Sequence, residues 1–232
     1  ISDVETGIFI SSGLDSNFLN VLIHQNIDIE KFILNFSGSV ENVSEYDLLK
    51  KNLGTKIKKI NKISSSEDEI YNNLTKLISH TYLPLNNFNS LTFMHLCKKV
   101  SEQSKIKVLY SGDGADEVFG GYERHYDILQ QKNIKKNLET ILIGKNYLSL
   151  KRMKLFDNLK LDHFNQRFDI IKEFKYQDDK LNKILINDQM SFLQGYLTRA
   201  DQIGMMFGQE IRTPFCDKRL ISFANSINGN LK

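Results

Sequence analysis

Short apolar runs alternate with helical spacings through the first half of the chain, and this alternation predicts parallel strands joined by crossover helices. Four runs read as strands: residues 7–11, 32–36, 56–60 and 107–111. Ser44 with Asp47 resembles a helix start and Gly54 a helix stop, so a crossover helix is predicted over 45–53. Ser66 with Glu69 opens a second helix towards Ser79, and residues 90–104 carry a third. The first strand runs through Ser11-Ser12-Gly13-Leu14-Asp15-Ser16 into the helical spacing of Phe18, Leu19, Leu22 and Ile23.

After Tyr122 the pattern changes. Lys, Leu and Asn become frequent, apolar residues keep helical spacing, and no further strand is predicted. The expected organisation is therefore an α/β core over 1–125, a parallel sheet with helices on both faces, followed by a helical lobe over 126–198 and a closing segment, 199–232. Pro84 and Pro214 fall where loops are expected, and Asn133, Asn137, Asn146 and Asn158 weaken the middle helices.

Composition narrows the class. A chain of 232 residues with 41% hydrophobic content can bury a substantial core. No apolar run approaches the roughly 20 residues of a membrane span, so the expectation is a soluble, cytoplasmic protein with no membrane partner. The net charge of +3 is small, and the clusters Lys132, Lys135, Lys136 and Lys151, Arg152, Lys154 lack interleaved aromatics, so no nucleic-acid partner is expected. Cys97 and Cys216 have neither zinc-like nor disulfide-like spacing, and the histidines, His24, His80, His95, His125 and His163, are scattered. Opening on Ile1 within what reads as running sequence, the chain looks like a piece of something longer.

Chemistry concentrates in two places. Ser111-Gly112-Asp113-Gly114-Ala115-Asp116-Glu117-Val118-Phe119-Gly120-Gly121-Tyr122 sets three acids among four glycines directly after the apolar Val108-Leu109-Tyr110. Small residues at a strand end let backbone approach a ligand, and acids there hold a cation or accept a proton. The Ser11–Ser16 turn presents backbone N–H groups and hydroxyls at a helix N-terminus, a cradle for phosphate. It lacks the lysine and the longer loop of a Walker site, which argues against γ-phosphate transfer. The plain alternative is an ordinary helix cap, with Asp15 or Ser16 accepting backbone hydrogens.

The residues at 11–16 resemble the PP-loop of enzymes that cleave ATP between the α and β phosphates, with Ser12 where that motif usually has glycine. The run 111–122 resembles the second motif of the asparagine synthetase family, in its glutamine-hydrolysing form. Arg199-Ala200-Asp201 followed by Glu210-Ile211-Arg212-Thr213-Pro214-Phe215-Cys216-Asp217 is similar to a third, which normally ends Arg-x-Pro-Phe-Leu-Asp. The blocks come in family order and cover nearly the whole chain outside its helical middle.

The resemblance implies an adenine nucleotide alpha-hydrolase-like fold and an ATP-dependent, AMP-forming amide ligase acting on aspartate, or a similar carboxylate, and ammonia. It implies ATP and Mg²⁺, with Asp15 and Asp116 on the metal and Asp113 as base towards ammonia, where many members carry glutamate. It sets Glu117 towards the substrate α-amine and Arg199 as a clamp for carboxylate or phosphate. Ser11, Ser12, Gly13, Leu14, Asp15 and Ser16 line the pyrophosphate, Ser111 and Gly112 bond the adenylate, and Phe9 and Leu34 flank adenine and ribose. Gly120, Gly121 and Tyr122 read equally well as a helix-ending turn with an aromatic packed on it, and Glu210, Arg212 and Asp217 as an ion-pair network behind the site.

In the family the ammonia comes from a glutaminase domain led by an N-terminal cysteine, and a functional lysine follows the Arg-x-Pro-Phe block; the expectation is that both fall outside these 232 residues. A homodimer is left open. Two other readings stand beside asparagine synthesis. One is a related adenylating synthetase of the β-lactam or macrolactam type, although β-lactam-forming relatives carry tyrosine at the place of Asp113. The other is a non-catalytic adenylate-binding module, suggested by Ser12 and Gln202 and opposed by the intact Asp15, Asp113, Asp116 and Glu117.

Overall fold

Among the residues described by the computed structural model (2–24, 29–36, 44–53, 60–82, 88–130 and 179–232), five strands form one parallel sheet. They are β1 (Thr6–Phe9), β2 (Glu30–Phe36), β3 (Ile60–Ser65), β4 (Val108–Tyr110) and β5 (Glu210–Arg212), in the order β3-β2-β1-β4-β5. Thr6 lies opposite Val108 and Ile8 opposite Tyr110, while Gly7 lies opposite Glu30 on the other side of β1. The chain steps outward from β1 to β3 and then returns to the far side of β1. Right-handed crossovers therefore put α1 (Leu14–His24) and α2 (Glu45–Leu53) on one face. The other face receives α3 (Glu67–Tyr71), α4 (Leu74–Thr81) and α5 (Asn89–Gln103). This is the α/β, adenine nucleotide alpha-hydrolase-like architecture expected from the sequence. The direction of winding reverses between β1 and β4, the place in such sheets where ligands bind at the carboxyl ends of the strands.

Central strands carry the core. Ile8, Phe32, Ile33 and Leu109 are buried, and α5 adds Leu91, Met94, Cys97 and Val100. Burial pushes the Cys97 thiol well above its ordinary range.

Past β4 come α6 (Ala115–Phe119), α7 (Glu123–Leu129), α8 (Lys180–Asp188), a π-helical turn Gln189–Leu193 and α9 (Gln194–Met206). After β5 follow a 3₁₀ turn Pro214–Cys216, α10 (Lys218–Ser226) and a second 3₁₀ turn Gly229–Leu231. The chain divides into two compact units, Ile1–Asp113 with Gly195–Pro214, and Gly114–Gln194 with Phe215–Lys232. The sheet belongs to the first, and the border falls within the acidic motif. No helix among the described residues is long and apolar enough to cross a membrane.

Several predicted elements shift. The third strand lies at Ile60–Ser65 rather than 56–60, with Ile63 and Ser65 as its buried positions, and residues 56–59 lie outside the described residues. β5 was not predicted at all: its three residues, Glu210-Ile211-Arg212, carry charges at both ends. The helix expected over 66–79 breaks at Asn72 and Asn73, where buried Asn73 donates its side-chain amide to the Glu69 carbonyl at 2.6 Å and competes with the helical ladder. On α1 the apolar spacing does not mark a buried stripe, since Leu19 is buried whereas Phe18 and Leu22 are exposed. The inward residues there are Ser16, Asn17, Leu19 and Asn20, of which Ser16 and Asn17 bond the loop before the helix. The predicted helix at 45–53 matches α2, and that at 90–104 matches α5 within one residue. Gly54, Pro84, His163, the asparagines at 133–158, the basic clusters at 132–154 and most of the predicted lobe lie outside the described residues.

Candidate active site

In the first unit, β1 ends at Phe9 and the chain turns through Ser11–Gly13 into α1. The turn is held by its own hydroxyls. Ser11 N–H donates to Ser16 Oγ at 3.1 Å, Gly13 N–H donates to Ser11 Oγ at 3.1 Å, and the two hydroxyls lie 3.0 Å apart. Asn17 ties the turn from beneath, donating its side-chain amide to the carbonyls of Ser11 at 2.9 Å and Gly13 at 2.6 Å. The Ser12 N–H donates to Glu45 Oε2 at 2.7 Å. An anionic oxygen from the chain itself thus sits on the backbone donor that a phosphate would use. Asp15 stands in the first turn of α1, half-buried, and burial pushes its carboxyl above the usual range.

The second motif reaches this loop through Gly112. A Cβ on Gly112 would stand 3.1 Å from the Ser16 backbone nitrogen and 3.3 Å from its Cα, so the end of β4 lies directly against the start of α1. Ser111, buried, donates its hydroxyl to Asp113 Oδ2 at 2.8 Å, and its own N–H is held by the Arg212 carbonyl on β5 at 2.9 Å. Arg199 on α9 is half-buried with its guanidinium 4.6 Å from the Tyr196 ring centre. Burial lowers its pKa, while Tyr196 and the charge of Asp113 act the other way. Within this unit the fold thus brings together Ser11, Ser16, Gly112 and, through their charges, Asp113 and Arg199. Phe9 is buried with its ring edge-on to Phe93 at 5.5 Å, and Leu34 is half-buried against the same core.

The second unit holds Asp116 and Glu117 on α6. Glu117 is buried, and desolvation raises its pKa although Tyr122 opposes the shift by hydrogen bonding. The Tyr122 hydroxyl donates to Glu117 Oε1 at 2.6 Å, a contact that sequence reasoning missed. The reading of Gly120 as a helix end holds: it caps α6 with φ 88°. Gly121 does more, because a Cβ there would collide with the Asp116 carboxylate. Glu210 and Arg212 pair within β5 at 2.7 Å, and Asp217 caps α10 at Arg219 and Leu220. No three His, Cys, Asp or Glu side chains among the described residues are gathered to hold a metal by themselves.

The two motifs meet at the reversal point of a parallel sheet, and across the chain a family model described as asparagine synthase matches residues 1–232. The chain belongs to the asparagine synthase family. Among relatives, it is 28% identical to asparagine synthetase [glutamine-hydrolyzing] 1 of Bacillus subtilis (strain 168), with all of this chain and 42% of that protein covered. It is 21% identical to asparagine synthetase [glutamine-hydrolyzing] 3 of the same organism, with all of this chain and 40% of that protein covered. The chain thus spans about two fifths of the length of these asparagine synthase relatives.

Proposed function

We propose that this chain is the synthetase part of a cytoplasmic, ATP-dependent, AMP-forming amide ligase that makes asparagine from aspartate and ammonia. The observation that carries this reading is the contact of Gly112 with Ser16, which joins a phosphate-type loop to an acid-bearing strand end. In the first step an oxygen of the aspartate side-chain carboxylate attacks the α-phosphorus of ATP and pyrophosphate leaves. Ammonia then attacks the acyl carbon, AMP leaves with the carboxylate oxygen, and the nitrogen gives up a proton.

The residues suit these roles. The Ser12 backbone N–H, which already donates to the Glu45 carboxylate, is the proposed donor to a phosphate oxygen. Phe9, Leu34, Ser111 and Gly112 are the proposed nucleoside and adenylate contacts. Asp113, oriented by Ser111, is the base for ammonia, and Arg199 is the clamp for a substrate anion. Glu117, a carboxylate buried with its charge only partly offset, suits an ammonium group, here the substrate α-amine.

Asp15 is a desolvated carboxylate beside the anion loop, which fits a hard divalent cation. Asp15 and Asp116 are each proposed as a carboxylate ligand for Mg²⁺, which binds through one or two carboxylates and substrate phosphates and would supply charge neutralisation at the phosphoryl oxygens. The relatives' names point to glutamine as the nitrogen source, so a glutaminase domain in the full-length protein is the proposed ammonia supply.

Product analysis tests the reading. The full-length protein given ATP, Mg²⁺, aspartate and ammonia should release AMP and pyrophosphate in step with asparagine. ADP and inorganic phosphate would contradict it, and AMP formation with another acid but not aspartate would keep the ligase class and discard the substrate.

A further inference from the structure

The second unit contains a polar cluster that the proposed chemistry leaves unused. Asp188, at the end of α8, is wholly buried and receives two groups from α7: His125 Nε2 lies 2.7 Å from Oδ2, and Arg124 donates through Nη2 to Oδ2 at 2.7 Å and through Nη1 to Oδ1 at 3.3 Å. Both groups then pack on one ring. The Arg124 guanidinium lies 4.6 Å from the centre of the Tyr122 ring, and His125 meets the same ring edge-on at 5.3 Å. From that ring the hydroxyl reaches Glu117 at 2.6 Å. Glu117 is also held from its backbone, where its carbonyl accepts from Gln189 Nε2 at 3.0 Å, and Gln189 is itself locked in a reciprocal amide pair with Asn225 at 2.9 and 3.1 Å.

Asp188 is buried while Arg124 keeps about a third of its side chain exposed, and desolvating the carboxylate offsets part of the attraction, so the pair serves orientation as much as stability. Here the oriented object is a tyrosine ring, and the group at its tip is the Glu117 carboxylate.

We propose that Tyr122 is a positioning residue for amino-acid recognition, its hydroxyl fixing the Glu117 carboxylate and its ring fixed by the Asp188–Arg124–His125 cluster. The proposal rests on the reading of Glu117 as the acid that faces the substrate α-amine. A group that binds this amine acts equally before and after adenylation, so loosening it raises KM for the amino acid while kcat is kept.

The test compares aspartate with succinate, which lacks the amine, in ATP–pyrophosphate exchange by the full-length protein. Tyr122→Phe removes only the hydroxyl, and a lost hydrogen bond to a charged group predicts roughly a tenfold higher KM for aspartate. KM for ATP, kcat and the succinate reaction should stay within about twofold, and in a Glu117→Gln background Tyr122→Phe should add nothing. Arg124→Lys, which keeps the charge but loses the planar stack, should shift the aspartate KM in the same direction. If Glu117→Gln abolishes the preference for aspartate over succinate while Tyr122→Phe and Arg124→Lys keep it, the positioning role is wrong and the role of Glu117 stands. If Glu117→Gln leaves that preference intact, the underlying reading fails and the proposal with it.

Discussion

Gly112 shows how much rests on a single missing carbon. Its neighbour at 3.1 Å is the backbone nitrogen of Ser16, which cannot swing aside as a side chain would. Gly112→Ala is therefore expected to cost about 1–3 kcal/mol in denaturant unfolding and to weaken ATP binding in calorimetry. Unchanged stability together with unchanged affinity would contradict the packing described. The loop and the acidic strand end stood out in the sequence through residue types alone: hydroxyls and acids that carry polar groups, and glycines whose missing Cβ lets backbones meet. Tyr122 did not, because its role depends on a fold-back. Gly120 ends α6 in a left-handed conformation, and two residues on the tyrosine hydroxyl returns to Glu117. Glu45 was invisible for a similar reason, since 33 residues separate it from the Ser12 N–H it meets.

Elements were read best where burial is deepest. β1, β2 and β4 came within two residues of their places, whereas the misplaced strand, β3, and the missed strand, β5, are the two edges of the sheet. An edge strand pairs on one side only and buries less, so Asn61 and Lys62 in β3, and Glu210 and Arg212 in β5, blur the apolar pattern. Helix starts were clearer, because a cap is a local chemical event. Ser66 and Glu69 form the reciprocal capping box at α3, and Ser66→Ala is expected to cost about 1 kcal/mol in urea unfolding. A change of a few tenths or less would show that the cap does not hold this helix.

α5 adds a pH dependence. His95 is buried with neither ring nitrogen hydrogen-bonded among the described residues, and desolvation lowers its pKa below the ordinary 6.5. Glu69 and Glu102 raise it, while Lys98 and Lys99 lower it further. The unfolded chain takes up this proton near pH 6.5 and the folded chain only at lower pH, so the stability at stake is complete above 6.5 and is lost as pH falls through the folded value. His95→Leu should flatten the fall in melting temperature below pH 6.5, and an unchanged acid limb would assign the loss to other groups.

For the molecule as a whole, the border between compact units falls between Asp113 and Gly114, inside the acidic motif. Asp113, with Ser111 and Arg199, belongs to the unit built on the sheet, and Asp116 and Glu117 belong to the other. Asp116 is proposed for adenylation and Asp113 for amide formation. ATP–pyrophosphate exchange with aspartate reports the first step alone, which makes it the most direct measurement. Asp116→Asn should abolish exchange. Asp113→Asn should retain it within a few-fold while asparagine formation falls by the 10²–10⁴ typical of a lost general base. Equal loss of exchange in both variants, or exchange surviving in Asp116→Asn, would contradict the account.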